Sequence, residues 1–235
     1  MLLDSFLDLL WGSACVHCER PGRALCRECS EALLPTPSEH WPSPTPAGLA
    51  RPIVSGPYAG LIRDIILATK ERRQHQLVPV LGVYIAVAAA AHEPLGPVAL
   101  VPVPSRSVTV NERGLDTTAV STRRAAALLR RTGVAAQCAP LLSVRGGVVD
   151  QAGLTAGQRA ANLERAFTCP AHRVRALASR MPVGHVLICD DVITTGATAR
   201  EAQRAVEAVG MSVKGIAAIA ATQKRKTLGL PPLGV

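Results

Sequence analysis

Apolar residues run almost unbroken through three stretches of the chain: Val98-Ala-Leu-Val-Pro-Val103, Val186 to Asp190, and Val213 to Ala221. Runs this short and this apolar suit strands buried on both faces. Ile53 to Tyr58 fits a further strand, and Gln137 to Val144 a shorter one. Between them the spacing becomes helical. Leu61, Ile62, Ile65 and Ile66 place an apolar stripe on a helix from Gly60 to Thr69. Leu77 to Ala91 predicts a buried helix, 116–131 a third, and Thr198 to Val209 a fourth. Strands alternating with helices predict an α/β fold whose parallel sheet is flanked by helices.

The first fifty residues do not share this alternation. Leu2, Leu3, Phe6, Leu7, Leu9 and Leu10 suit a short amphipathic helix that docks on a neighbour. The opening carries Asp4 and Asp8 and no basic segment, so it does not read as a signal peptide. The apolar stretch 77–91 is shorter than the roughly 18 residues that span a bilayer. A cytoplasmic chain without membrane insertion is expected. After the helix-like SEALL, Pro35, Pro37, Pro42, Pro44, Pro46 and Pro52 punctuate a stretch that reads as an extended linker, with Trp41 free to pin it to a neighbour. The expected organisation is a small module at 1–34, a linker at 35–52 and an α/β domain at 53–235.

Composition narrows the picture. Hydrophobic residues make up 48% of the chain but aromatics only 3%, so the core must be built from Ala, Val, Leu and Ile. The formal charge of +9 suits an anionic partner such as nucleic acid or a phosphorylated metabolite, and equally a generally basic surface. The scarcity of aromatics removes the stacking platforms usual in single-strand binders.

Four of the seven cysteines form two CxxC pairs, Cys15/Cys18 and Cys26/Cys29, separated by seven residues. Each pair lets two thiolates reach one ion from a tight turn, and together they fill a closed tetrahedral set. Structural zinc in a small knuckle or ribbon is the expectation, with Arg20, Arg23 and Arg27 offsetting the sulfur charge. A redox dithiol pair and two disulfides are the alternatives. Cys138, Cys169 and Cys189 are isolated and read as small buried hydrophobes.

The densest chemistry lies in VLICDDVITTGAT, residues 186–198. An apolar strand delivers Asp190 and Asp191, and Thr194, Thr195, Gly196, Ala197 and Thr198 lead into the next helix. In open α/β sheets ligands bind at the carboxyl ends of strands. A Thr-Gly turn backed by a helix N-terminus presents amides to an anion. The carboxylates suit hydroxyls or a divalent cation. A ribose 5-phosphate carries both a phosphate and a vicinal diol.

These thirteen residues resemble the phosphoribosyl pyrophosphate (PRPP) motif of type I phosphoribosyltransferases. The chain as a whole resembles the ComF-type competence branch of that superfamily. Its zinc module is similar to the four cysteines, and its other segments to YAGLIRDIILATK, VPVPSRSVTVNERGLD and DQAGLTAGQRAANLERAF, the last with Gln151, Leu154, Arg159, Asn162 and Phe167 at the family spacing. The resemblance implies a Mg²⁺-dependent phosphoribosyltransferase. Asp190 and Asp191 would meet the ribose hydroxyls directly or through Mg²⁺. Thr194 to Thr198 would hold the 5-phosphate, and Lys70 would face pyrophosphate. Arg113, Arg106 or Lys70 would neutralise the leaving group.

Simpler readings stand beside these. Lys70 closes a helix, where a cation is favourable anyway. Arg106 and Arg113 suit solvated loop positions, and Arg159 and Asn162 a helix start. The family's RGFNQ segment reads here Arg113-Gly114-Leu115-Asp116-Thr117, which leaves the acceptor open. The resemblance also suggests single-stranded DNA or a DNA-processing helicase as partner, served by a non-catalytic PRPP- or nucleotide-binding module. A homodimer is compatible with the fold.

Overall fold

The long apolar runs form the middle of one sheet. The computed structural model describes residues 14–104, 115–145, 165–182 and 184–223. In chain order these fold as α1 (Arg27–Glu31), β1 (Ser38–Glu39), β2 (Pro52–Val54), α2 (Gly60–Glu71), a 3-10 turn (His75–Leu77) and α3 (Val78–Ala90). Then come β3 (Val98–Pro102), α4 (Thr117–Arg131), β4 (Ala136–Cys138), β5 (Ser143–Val144), β6 (Phe167–Thr168), α5 (Ala171–Ala178), β7 (His185–Ile193), α6 (Ala197–Glu207) and β8 (Val213–Ala221). The main sheet has six strands in the order β1-β2-β8-β7-β3-β4. The edge strand β1 is antiparallel and every other neighbour is parallel. β5 and β6 pair separately as a short antiparallel ladder.

Side-chain alternation along the central strands builds a core on each face. Leu100 of β3, Leu187 and Cys189 of β7, and Ala217 and Ile219 of β8 pack with α2, α3 and α4. Ala99 and Val101, Val186 and Ile188, and Ile216 and Ala218 pack on the other side with α6 and Leu177 of α5. This two-sided burial is why the strands are continuously apolar.

Several boundaries differ from the sequence expectation. The strand expected at 186–190 continues to Ile193, because Asp190, Val192 and Ile193 keep their ladder to Ala218, Ala220 and Ala221 of β8. The strand expected over 137–144 is two strands in two sheets. Ala139 still donates to Leu100 O at 2.8 Å, but Pro140 follows with no N–H to continue the ladder. The short N-terminal helix α1 covers RECSE and starts earlier than SEALL. The amphipathic segment 2–10 lies outside the described residues.

The proline-rich stretch is packed onto the sheet domain. Its Ser38–Glu39 is strand β1, and Leu49 belongs to the core on the α6 face. Trp41 stays half exposed, its Nε1 donating to Glu39 Oε2 at 3.1 Å. No helix among the described residues is long and apolar enough to cross a membrane.

Candidate functional site

β3 and β7 are parallel neighbours whose following helices leave to opposite faces: α4 packs with α2 and α3, α6 on the other side. Strand order therefore reverses between them, which opens a crevice at their carboxyl ends. Pro102, the last residue of β3, lies opposite Cys189, and Val103 donates to Cys189 O at 2.8 Å. The next residues of β7 are Asp190 and Asp191, so the carboxylates sit at the mouth of this crevice.

The two carboxylates have different environments. Asp191 forms an ion pair with Lys70 from the last turn of α2, with side chains 18% and 24% exposed. Asp190 is buried, and burial pushes its carboxyl up to about 7, against the pull of the Lys70 charge. Its Oδ1 accepts from the Asp191 amide at 2.8 Å, and Asp191 Oδ1 accepts from Val192 at 2.6 Å. One member is thus charge-compensated, while burial favours the neutral form of the other. That is how two adjacent acids share one strand.

The loop after β7 leaves Thr194 and Thr195 exposed and buries Gly196. Gly196 caps α6 in the left-handed region, at φ 74°. Gly196 offers no side chain to cap α6; the Ala197 amide donates to Thr195 Oγ1 at 3.4 Å, a long bond, and the first-turn amides are oriented toward the loop.

Sequence reasoning missed what lies behind this loop. A Cβ on Gly196 would meet Pro42 Cγ at 2.9 Å, Leu49 Cδ2 at 3.2 Å and Pro46 Cδ at 3.5 Å. The stretch read as a linker is therefore a wall of the loop. α6 holds it in place: Arg200 Nε donates to Ala47 O at 2.9 Å and Gln203 Nε2 to Gly48 O at 3.0 Å. Gln203 Oε1 accepts from Ala50 N at 2.9 Å. The only available signal was the density of prolines itself.

The four N-terminal cysteines converge, with their sulfurs all within 4.8 Å of one another. Cys18 and Cys26 sulfurs are 3.6 Å apart. A ZnS₄ tetrahedron with Zn–S near 2.3 Å has edges of about 3.8 Å, so this thiol set fits a metal such as zinc. Tight turns bring the thiols together. Glu19 N donates to Cys15 O at 3.0 Å, Val16 N to Ala24 O at 2.9 Å, and Cys26 Sγ caps α1 by accepting from Cys29 N at 3.5 Å. Burial opposes ionisation of Cys15, but bonds from the Cys18, Cys26 and His17 amides outweigh it and bring the thiol to about 6. Bonding to Cys26, then burial, holds Cys29 up at about 12. Of the arginines expected to offset sulfur charge, Arg20 pairs with Glu28 and also feels the Cys26 and Cys18 sulfurs, while Arg27 pairs with Glu31.

The cluster is docked on the main core. Val16 and Ala24 belong to the core beneath α2, and Leu61 of α2 packs on the cysteines. His17 Nδ1 lies 2.8 Å from Asp64 Oδ2. α2 thus touches the cysteine module at one end and supplies Lys70 to Asp191 at the other.

Of the residues expected at the site, Asp190, Asp191, Thr194, Thr195, Gly196, Ala197, Thr198 and Lys70 lie together around the end of β7. Arg106, Arg113, Gln151, Leu154, Arg159 and Asn162 lie outside the described residues. Asp116 caps α4: its Oδ1 accepts from Ala119 N at 3.0 Å. Cys189 and Cys169 are buried and Cys138 is half-buried. The fold and site define an α/β protein with a mostly parallel six-stranded sheet and a four-cysteine cluster able to hold a metal ion. Comparison with protein-family models and with curated proteins gave no match.

Proposed function

We propose that this chain is a phosphoribosyltransferase-like protein of ComF type. It binds PRPP at the end of β7 and transfers its phosphoribosyl group to an acceptor. The observation that carries this reading is the adjacency of Asp190–Asp191, at the switch point, to the Gly196 turn and the start of α6. One arrangement offers acids for a diol and amides for a phosphate, in the order a ribose 5-phosphate presents them.

In the transfer, the C1–O bond to pyrophosphate breaks and pyrophosphate leaves with the electron pair. The acceptor's lone pair forms the new bond to C1. Positive charge develops on the sugar while negative charge grows on the leaving group. The Thr194–Thr198 loop fixes the phosphate end of the sugar, which orients C1. Asp191 and Asp190 hold the ribose hydroxyls. Lys70, already beside Asp191, and Arg113 bring cations to the leaving group. Asp190 and Asp191 would hold Mg²⁺, which would supply positive charge for the departing pyrophosphate. The four cysteines form a closed set with no open position, which suits structural zinc rather than chemistry.

PRPP with Mg²⁺ raises the melting temperature of the native chain, and Asp190→Asn/Asp191→Asn removes that shift. Absence of a shift in the native chain sinks the assignment. Pyrophosphate release with a panel of bases then tests transfer itself. A thermal shift with no release from any base supports the binding-module reading over the enzyme.

A further inference from the structure

A second cluster of cations lies at the other end of α6. Arg204 is eight residues beyond Gly196, about 12 Å along the helix axis. Arg145 follows β5 and Arg165 precedes β6, and the Arg145 amide donates to Ala166 O at 2.9 Å, so the ladder brings both arginines to one end. With Arg204 they line a cavity of about 320 Å³ whose wall also includes Thr168, Ala205 and Val209.

The charges are unevenly compensated. Arg204 is held by Glu201 through Nε at 2.6 Å and Nη2 at 2.8 Å, and Nη2 also donates to Phe167 O at 3.1 Å. Glu201 is buried and also accepts from Phe167 N at 3.2 Å, so Arg204 is fixed rather than mobile. Its Nη1 is not used by these bonds. Arg145 and Arg165 are exposed, and among the described residues neither forms an ion pair. Glu201 and the carboxyl end of α6 oppose an anion here. Among the described residues, three guanidinium groups against one carboxylate leave the cleft positive, and guanidinium forks match phosphate oxygens. Ala205, Ala208 and Val209 give an apolar surface beside them.

We propose that this cleft is a second anion site that takes the phosphate group of a nucleotide, separate from the Gly196 loop. Phosphate meets Arg145, Arg165 and the free edge of Arg204, and the nucleoside lies against the apolar wall.

The test is calorimetric titration of the full chain with AMP at low salt. In the Asp190→Asn/Asp191→Asn background the Gly196 loop site does not compete for the ribose 5-phosphate of AMP. There, adding Arg145→Gln/Arg165→Gln weakens AMP binding at least about tenfold. Arg145→Gln/Arg165→Gln is also made with the native aspartates. Both side chains are exposed, so the fold is kept, and the thermal shift with PRPP and Mg²⁺ is unchanged. Asp190→Asn/Asp191→Asn keeps the Arg145-dependent AMP binding even if PRPP binding fails, which separates this site from the proposed function. AMP affinity unaltered by Arg145→Gln/Arg165→Gln in that background overturns the site. AMP binding no tighter than inorganic phosphate overturns its assignment to a nucleotide.

Discussion

Lys70, in the last turn of α2, forms an ion pair with Asp191 on β7, 121 positions further along the chain. Both side chains are mostly buried, so removing one partner strands the other's charge. Lys70→Met is expected to destabilise the chain by about 1–3 kcal/mol. Lys70→Met/Asp191→Asn should regain most of that loss, as expected for a pair coupled in a double-mutant cycle. Urea unfolding of the native chain, Lys70→Met, Asp191→Asn and the double variant checks this. Additive losses would mean that the pair is not coupled.

Asp190 gives stability a pH dependence of unusual sign for a carboxylate. Burial holds its folded carboxyl at about 7, whereas an unfolded aspartate ionises near 4. Between roughly pH 4 and 7 the folded chain therefore binds more protons, and stability falls as pH rises. The contribution is fully present below about pH 4 and lost above about 7. Asp190→Asn should flatten this part of the melting temperature profile. In Lys70→Met the fall should extend above pH 7, because the Lys70 charge opposes the shift. A profile identical in native chain and Asp190→Asn would refute the assignment.

The features legible in the sequence are those whose signals are local. β3, β8 and α4 follow their periodicity closely, and Asp190 to Thr198 and the cysteine pairs announce themselves by spacing. What was not legible depends on contacts far apart in sequence. The 35–52 stretch has no hydrophobic period, and its attachment runs through backbone carbonyls of Ala47 and Gly48 to Arg200 and Gln203, more than 150 positions away. Glu201 lies in AREAQR, which reads as a solvated helix face, yet it is buried beneath the β5–β6 ladder. Likewise the chain shows two identical aspartates, while only the fold pairs one with Lys70 and buries the other.

The contact between Gly196 and the proline strap predicts a difference between two glycines of similar conformation. Gly196 has φ 74° and Gly210 has φ 82°, so alanine at either incurs the left-handed cost of about 1–2 kcal/mol. At Gly210 a Cβ meets nothing within 4 Å, whereas at Gly196 it lies 2.9 Å from Pro42 Cγ. Gly196→Ala should therefore destabilise more than Gly210→Ala, and it alone should abolish the PRPP-dependent thermal shift. Urea unfolding and thermal shifts on both variants check it. Equal losses would show that the strap does not brace the loop.

The cysteine module predicts a metal requirement that reaches into the main core. The full chain should carry about one zinc, lost in Cys26→Ser, whose thiol also caps α1. Without the ion nothing holds four mutually close thiolates, and so short a module does not keep its turns. Val16 and Ala24 would then leave the core beneath α2, and the His17–Asp64 contact would go with them. Chelation should lower the melting temperature by at least about 4 °C, the equivalent of roughly 1 kcal/mol or more for a chain of this size. Elemental analysis and thermal denaturation, with and without chelator, measure both quantities. A metal-free chain that melts where the native chain does would rule the requirement out.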